Sequence, residues 1–289
     1  MNIPDAWELA SIVARFLLYL GTLSSVGLVL VRIVFRRKTG HLHGSIIRQV
    51  IRLALLALLA SCAGFALKAV ALTGEAAGMV DPDILSLLWQ TPVGTALVLQ
   101  VAGLSLVIGG LFVPGIGLFV SAGGGGLALW SFGQIGHILE AEPFWLVFLL
   151  MIHLTVAAFW IGILSPLRAI AGDSRSLPQA AELGHNFGRI AIYAVPLLLV
   201  AGIVMAWNLL GSLSALVSTG YGLTLLSKVS AVGVLLGAAG VNKLRLVPGM
   251  RKGNRIAAMR LRRSIAVEWA GFCFILAATA VLTTIPISL

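Results

Sequence analysis

Residues 136–162 read GHILEAEPFWLVFLLMIHLTVAAFWIG. No charged residue follows Glu142 until Arg168, and this distance exceeds the run of about 20 apolar residues that a helix needs to cross a membrane. His153 lies about ten residues beyond Pro143, and therefore roughly 15 Å below the predicted start of the span. Because an ionisable side chain is costly in hydrocarbon, His153 is the first candidate for a functional residue.

The whole chain is as apolar as this stretch suggests. Its 289 residues are 59% hydrophobic and 10% charged, whereas soluble domains carry about 25% charged residues. The apolar runs are continuous rather than alternating, which favours helices over a membrane β-barrel. We therefore predict an all-α, polytopic membrane bundle in which residues 1–289 form a single integral membrane domain. The eight predicted spans are residues 9–35, 46–72, 93–113, 115–137, 144–168, 188–211, 221–243 and 262–285.

Positive charge is concentrated in alternate predicted loops. Basic residues follow the first span and recur between the fifth and sixth spans and between the seventh and eighth. The opposite loops carry the acidic residues Glu75, Asp81, Asp83, Glu140 and Glu142. The positive-inside rule then places both termini in the periplasm of a bacterial inner membrane. The net charge of +10 therefore indicates topology and contact with anionic membrane lipids, and not a nucleic acid partner.

Several polar residues are predicted near the outer end of the fifth span. His137 ends the preceding span, so His137 and His153 are more naturally two stations on an inward path than one chelate. The alternatives are a solvated loop histidine for His137 and an interhelical hydrogen bond for His153. Glu140 and Glu142 flank the outer mouth, where carboxylates concentrate cations, or they belong to a solvated acidic loop. Trp160 follows His153 by seven residues and shares its helical face.

Other candidate residues lie within the spans. Met151 and Met205 are predicted at similar depths and could supply thioether ligands to a soft metal such as Cu(I). The chain has no MxM or MxxM motif, so packing in the core is the favoured interpretation of both methionines. Arg15, Lys228 and Glu268 are ionisable residues inside predicted spans. We interpret them as a buried polar network in preference to a proton relay.

Motifs of soluble enzyme chemistry are missing from the sequence. It contains no GxxxxGK[ST], no HExxH and no nucleophile elbow. A pump driven by ATP would also need a large nucleotide-binding domain, which argues against primary active transport by this chain alone. The glycine run at residues 123–126 favours close helix packing, with a locally unwound segment lining a cavity as the alternative.

The second half of the chain carries short motifs in a fixed order. They are residues 153–154 (HL), 157–162 (AAFWIG), 187–189 (FGR), 219–222 (TGYG) with Lys228, 242–248 (NKLRLVP), and 261–264 (LRRS) with Glu268. In this order and spacing they resemble the CopD/PcoD family of bacterial copper resistance membrane proteins, over roughly residues 137–286.

The resemblance implies an inner-membrane protein that handles copper. It implies copper uptake into the cytoplasm, a periplasmic CopC-like copper protein as partner, and His137 and His153 as metal-site candidates. Our leading hypothesis is a transporter in which copper passes His137 and binds at His153, within a cavity shaped by Trp160. One alternative is a membrane redox protein that binds haem or reduces cupric ion. The other is a non-transporting membrane partner of a periplasmic copper chaperone.

Overall fold

Every regular element is a helix in the computed structural model, which describes residues 5–134, 145–210 and 214–284. The helices are α1 (Ala6–Val34), α2 (His43–Thr73), α3 (Pro82–Trp89), α4 (Pro92–Gly110), α5 (Gly117–Trp130), α6 (Trp145–Ile170), α7 (Leu177–Leu210), α8 (Ala215–Ser218), α9 (Gly220–Val241), α10 (Val247–Arg251) and α11 (Arg255–Thr284). Short 3-10 turns lie at Gly40–Leu42, Ala76–Val80 and Ser131–Gln134, and the π-helical segment Asn242–Leu246 joins α9 to α10.

Seven helical stretches within these described ranges are long and apolar enough to cross a membrane. They lie in α1, α2, α4, α6, α7 and α11, and in the continuous stretch Gly222–Arg251 that runs from α9 through α10. The prediction of a helical membrane bundle is confirmed. The fourth predicted span, 115–137, contains α5, whose 14 residues extend only about 21 Å at 1.5 Å per residue. The count of eight spans and the periplasmic position of the termini stay predictions.

α1 packs mainly against α2, α5, α6 and α11. It begins with a capping box, in which the Asp5 carboxylate accepts hydrogen bonds from the backbone N–H groups of Trp7 and Glu8 at 2.8 and 2.7 Å. Farther along, Gly27 brings the backbones of α1 and α6 into contact, because a Cβ at this position would lie 1.9 Å from the carbonyl oxygen of Ala158. Small residues permit this close approach of membrane helices.

α4 and α5 form a tight hairpin through small residues. A Cβ on Gly103 would lie 2.6 Å from the carbonyl oxygen of Gly124, and the Ser121 hydroxyl donates to the carbonyl of Val107 at 2.9 Å. The glycine run 123–126 is helical throughout. Gly124 packs closely on α4 and Gly125 on Val26 of α1, while no atom lies within 4 Å of a Cβ built on Gly123 or Gly126, so close packing is confirmed for two of the four glycines and the unwound alternative is not.

α6 lies between the centre of the bundle and its lipid-facing helices. It packs against α1, α7 and α11, while α9 packs on α11. α7 and α9 leave large apolar side chains exposed, among them Ile203 and Trp207 on α7 and Leu223 and Val229 on α9. Such surfaces are suited to lipid contact. Side chains on α6 can therefore meet partners from both the buried helix α1 and the outer helices.

Candidate functional site

His153 is held by a backbone carbonyl on the neighbouring helix. It lies eight residues after Trp145, about 12 Å along α6. Its Nδ1 is 3.0 Å from the carbonyl oxygen of Leu198 on α7. Because a carbonyl only accepts, Nδ1 carries the proton and Nε2 keeps its lone pair. A histidine that binds metal commonly has its other ring nitrogen held in this way.

The surroundings of the ring are set by α7. A Cβ on Gly202 would lie 3.2 Å from Cε1 of His153, so the glycine leaves room for the imidazole. Met205 follows Gly202 by three residues and Leu198 by seven, which puts it on the same face of α7, one turn farther along. Met151, in contrast, packs against the main buried hydrophobic cluster. Of the two candidate methionines, Met205 therefore has the better position for a site at His153.

Lys228 of α9 lies at the level of His153. It follows Gly220 by eight residues, the same distance that separates His153 from Trp145, and it is close enough to His153 to interact with it electrostatically. No hydrogen bond or ion pair to the Lys228 amine occurs within the described part of the chain, which includes Glu268. The charge of Lys228 thus acts on His153, while Glu268 has other partners.

Glu268 on α11 is the centre of a second polar cluster. The side chain is 2% exposed, and its two oxygens accept hydrogen bonds from different helices. Oε2 accepts from the indole N–H of Trp160 at 2.9 Å, and Oε1 accepts from the amide of Asn242 at 2.6 Å. The Trp160 ring also packs edge-on against Phe272, with the ring centroids 5.6 Å apart. The carboxyl has no cationic partner among the residues that the structure describes.

Asn242 reaches this carboxyl from an irregular backbone segment. It is the first residue of the π-helical segment Asn242–Leu246, a form of helix that occurs often at functional sites. Its Oδ1 is buried and has no hydrogen-bond partner within the described ranges. Our sequence interpretation did not single out Asn242, although its amide interrupts an otherwise apolar helix end. The cluster therefore combines a buried carboxyl with an unused acceptor.

Two family models match complementary parts of this chain. One is described as "Copper resistance protein D-like, N-terminal domain" and matches residues 5–142, and the other is described as "Copper resistance protein D" and matches residues 180–282. The chain belongs to the copper resistance protein D family. It is also 27% identical, over 297 residues, to "Copper resistance protein D" from Pseudomonas syringae pv. tomato. This match covers 95% of this chain and 96% of the relative. No solved structure matches.

Membership of the copper resistance protein D family supports a role in copper resistance for this multi-pass membrane protein. Asn242 and Glu268 fall within the range 180–282 that one family model matches. His153 and Trp160 lie between the two matched ranges. The family assignment therefore does not depend on His153 and Trp160. These two residues are candidates for the functional site because of their positions and hydrogen bonds.

Arg15, which we predicted to join the buried network, lies at another place. Its guanidinium donates to the carbonyl of Thr283 in the last turn of α11, and the Tyr19 hydroxyl is 3.2 Å from the Thr283 hydroxyl oxygen. A cation at a helix C-terminus satisfies a carbonyl that has no helical partner and complements the helix dipole. Arg15 thereby ties α1 to the end of α11.

The predicted outer mouth lies outside the described residues, and this holds for His137, Glu140 and Glu142. Across residues 5–134, 145–210 and 214–284, no three His, Cys, Asp or Glu side chains are grouped so that they could hold a metal ion. His153 is thus a single imidazole with one free nitrogen.

Proposed function

We propose that this protein carries copper across the bacterial inner membrane, from the periplasm to the cytoplasm, with His153 as a ligand inside the bilayer. The observation that carries the proposal is the contact between His153 Nδ1 and the Leu198 carbonyl, since it directs the proton to Nδ1 and leaves Nε2 free for a metal. Imidazole suits copper, and helix register places the thioether of Met205, a soft donor, on the face of α7 that contacts His153.

The proposed path has polar groups at three depths. The outer residues His137, Glu140 and Glu142 would collect copper delivered by a periplasmic CopC-like protein. His153 is the next station. Trp160 lies seven residues farther along α6, roughly 10 Å deeper, where Glu268 offers the third polar group. Between His153 and Trp160, α6 carries only apolar residues apart from Thr155, so copper would cross this part of the bilayer in a small number of steps.

We expect His153→Ala to weaken binding of Cu(I) by at least about tenfold. Even an outer partner of a metal ligand is worth a factor of about 10 to 100 in affinity, and a direct ligand is worth no less. The measurement is a titration of the purified full chain against a chromogenic Cu(I) chelator, together with copper accumulation in cells that express each variant at equal levels.

His185→Ala is the matched control, because His185 lies on α7, is exposed and has no contact with His153. Thermal unfolding of both variants separates loss of a ligand from loss of the fold. Affinity and accumulation that stay at wild-type levels in folded His153→Ala would refute the proposed role. A Soret band in the spectrum of the purified protein would favour the redox alternative, and its loss in His153→Ala would assign His153 as a haem ligand.

We expect Lys228→Gln to tighten Cu(I) binding by roughly tenfold. A protonated amine near His153 repels an incoming cation, and at an effective dielectric constant of about 20 a repulsion across about 10 Å is worth roughly 1.5 kcal/mol, which is about a factor of ten. The same chelator titration measures the effect. Lys68→Gln serves as the control, because Lys68 is a membrane lysine on α2, near Arg15. Weaker binding in Lys228→Gln would contradict a copper site beside Lys228.

A further inference from the structure

A cavity of about 620 Å³ lies between α1, α2, α6 and α11. It is separate from the His153 site, because the α6 residues that line it lie in the C-terminal half of that helix and begin at Ile161. These are the helix ends that the positive-inside rule assigns to the cytoplasm. Its volume falls within the range of about 300–1,000 Å³ that is typical of ligand sites.

Three arginines from three helices line this cavity: Arg52 of α2, Arg168 of α6 and Arg262 of α11. No acidic residue is among the lining residues. Within the described chain the one ion pair joins Lys38 to Glu182, so none of the three guanidiniums is paired with a carboxylate. Arginine presents several N–H donors in a planar arrangement that matches the oxygens of a phosphate.

The acid nearest to the cavity in sequence, Asp173, is already engaged within its own loop. Its carboxylate accepts hydrogen bonds from the backbone N–H of Arg175 at 3.0 Å and from the Ser176 hydroxyl at 2.8 Å. These hydrogen bonds hold the pKa of Asp173 below its ordinary value, with the backbone N–H as the main cause. The carboxylate therefore stays ionised and bound to its own turn, and the arginines retain their excess charge.

The cavity also contains a buried donor that has no partner. Ser24 of α1 is 1% exposed, lines the cavity, and its hydroxyl makes no hydrogen bond within the described residues. A buried hydroxyl without a partner is unfavourable, so a ligand that accepts a hydrogen bond here would relieve this cost. Beside it, the Ser165 hydroxyl donates to Gln49 Oε1 at 2.6 Å. Polar groups thus extend inward from the arginines.

The two ends of the cavity differ in chemistry. On α11, Trp269 follows Arg262 by seven residues, and on α6, Arg168 follows Ile161 by seven, so each pair shares a helical face about 10 Å apart. On α1, Leu28 lies next to Gly27, which contacts α6 at Gly162, and the Ser24 hydroxyl lies about one turn deeper. A free anion would use the arginine end alone, whereas an amphiphile with an anionic head would use both ends.

We propose that this cavity binds the phosphate group of an anionic phospholipid from the cytoplasmic leaflet. The phosphate oxygens accept hydrogen bonds from Arg52, Arg168 and Arg262, and the glycerol region and the upper acyl chains lie against Leu28 and Ile161. Basic pockets between membrane helices on this side of a bilayer are suited to anionic head groups. The site is independent of the copper path, and its test does not require copper.

The test uses the purified full chain in a non-ionic detergent, with native mass spectrometry as the readout. The probes are dioleoylphosphatidylglycerol, dioleoylphosphatidylcholine and inorganic phosphate. We expect preferential binding of phosphatidylglycerol, weakened about fivefold by Arg262→Gln and about 25-fold by Arg168→Gln combined with Arg262→Gln, since each basic residue contributes a similar factor. Arg263→Gln, at the next and equally exposed position on α11, should bind as the wild type does.

Ala169→Phe provides a steric variant that keeps all three arginines, because Ala169 lines the cavity and is exposed. Loss of phosphatidylglycerol binding in this variant, with unchanged elution on gel filtration, supports the assignment. Equal binding of the two lipids, or equal losses in Arg262→Gln and Arg263→Gln, would overturn it. Binding of inorganic phosphate that depends on the arginines and displaces the lipid would overturn the lipid as ligand and identify a soluble phosphate as the occupant.

Discussion

Gly27→Ala should destabilise this protein by about 3 kcal/mol or more, which is at or above the upper end for overpacking a buried position. A Cβ on Gly27 would lie 1.9 Å from the carbonyl oxygen of Ala158 and 3.0 Å from the backbone nitrogen of Gly162. These atoms belong to the backbone of α6, so no change of rotamer can relieve the clash. α1 and α6 would have to separate, and the contacts of α1 with its other neighbours would be disturbed as well.

The matched control is Gly123→Ala, which also replaces a glycine within a helix of the bundle but has no atom within 4 Å of the new Cβ. We expect this variant to be as stable as the wild type or up to about 1 kcal/mol more stable, because alanine has the higher helix propensity. Reversible unfolding in mixed micelles gives both free energies. Equal stabilities of the two variants would show that α1 and α6 do not approach at Gly27.

The ends of one predicted span agree closely with the ends of a helix, whereas another helix extends well beyond its predicted span. The predicted span 144–168 differs by one or two residues at each end from α6, Trp145–Ile170. The predicted span 188–211 begins eleven residues after the start of α7 at Leu177. Hydropathy reports the thickness of the apolar layer, whereas α7 extends beyond it through a stretch that includes Glu182 and His185. A polar turn outside the bilayer remains helical without any apolar signal.

The positions of His153 and Trp160 along one helix were predictable, but their partners across helices were not. Trp160 shares a helical face with His153 by spacing alone, and this suggested a common cavity. The indole N–H instead meets Glu268, 108 positions away in the chain, and Asn242 completes the cluster from a third helix. Spacing within one helix fixes the direction of a side chain relative to that helix only. Which neighbour it meets depends on helix packing, which spacing does not encode.

Glu268→Ala should destabilise the protein by about 3 kcal/mol, because it leaves two buried donors without an acceptor. These are the Trp160 indole N–H and the Asn242 amide, which now bond to the two oxygens of the carboxyl. Phe272, packed edge-on against the indole, would keep the Trp160 ring in place and prevent its N–H from finding another partner. The measurement is again the free energy of unfolding, compared with that of Glu268→Gln.

Glu268→Gln should cost about 1–2 kcal/mol, less than Glu268→Ala, because the amide keeps one hydrogen bond to each neighbour while the NH₂ group of Asn242 loses its acceptor. Its oxygen would accept from Trp160, and its NH₂ group would donate to Oδ1 of Asn242 after the Asn242 amide turns over. That Oδ1 has no partner at present among the residues described.

Copper accumulation in Glu268→Gln then separates two roles of Glu268. If Glu268→Gln is stable and accumulates copper normally, the cluster is structural, as we interpreted the buried ionisable residues. If the variant is stable but accumulates no copper, the carboxyl itself is needed, as in a proton relay. A loss of stability equal to that of Glu268→Ala would contradict the hydrogen-bond arrangement on which both roles depend.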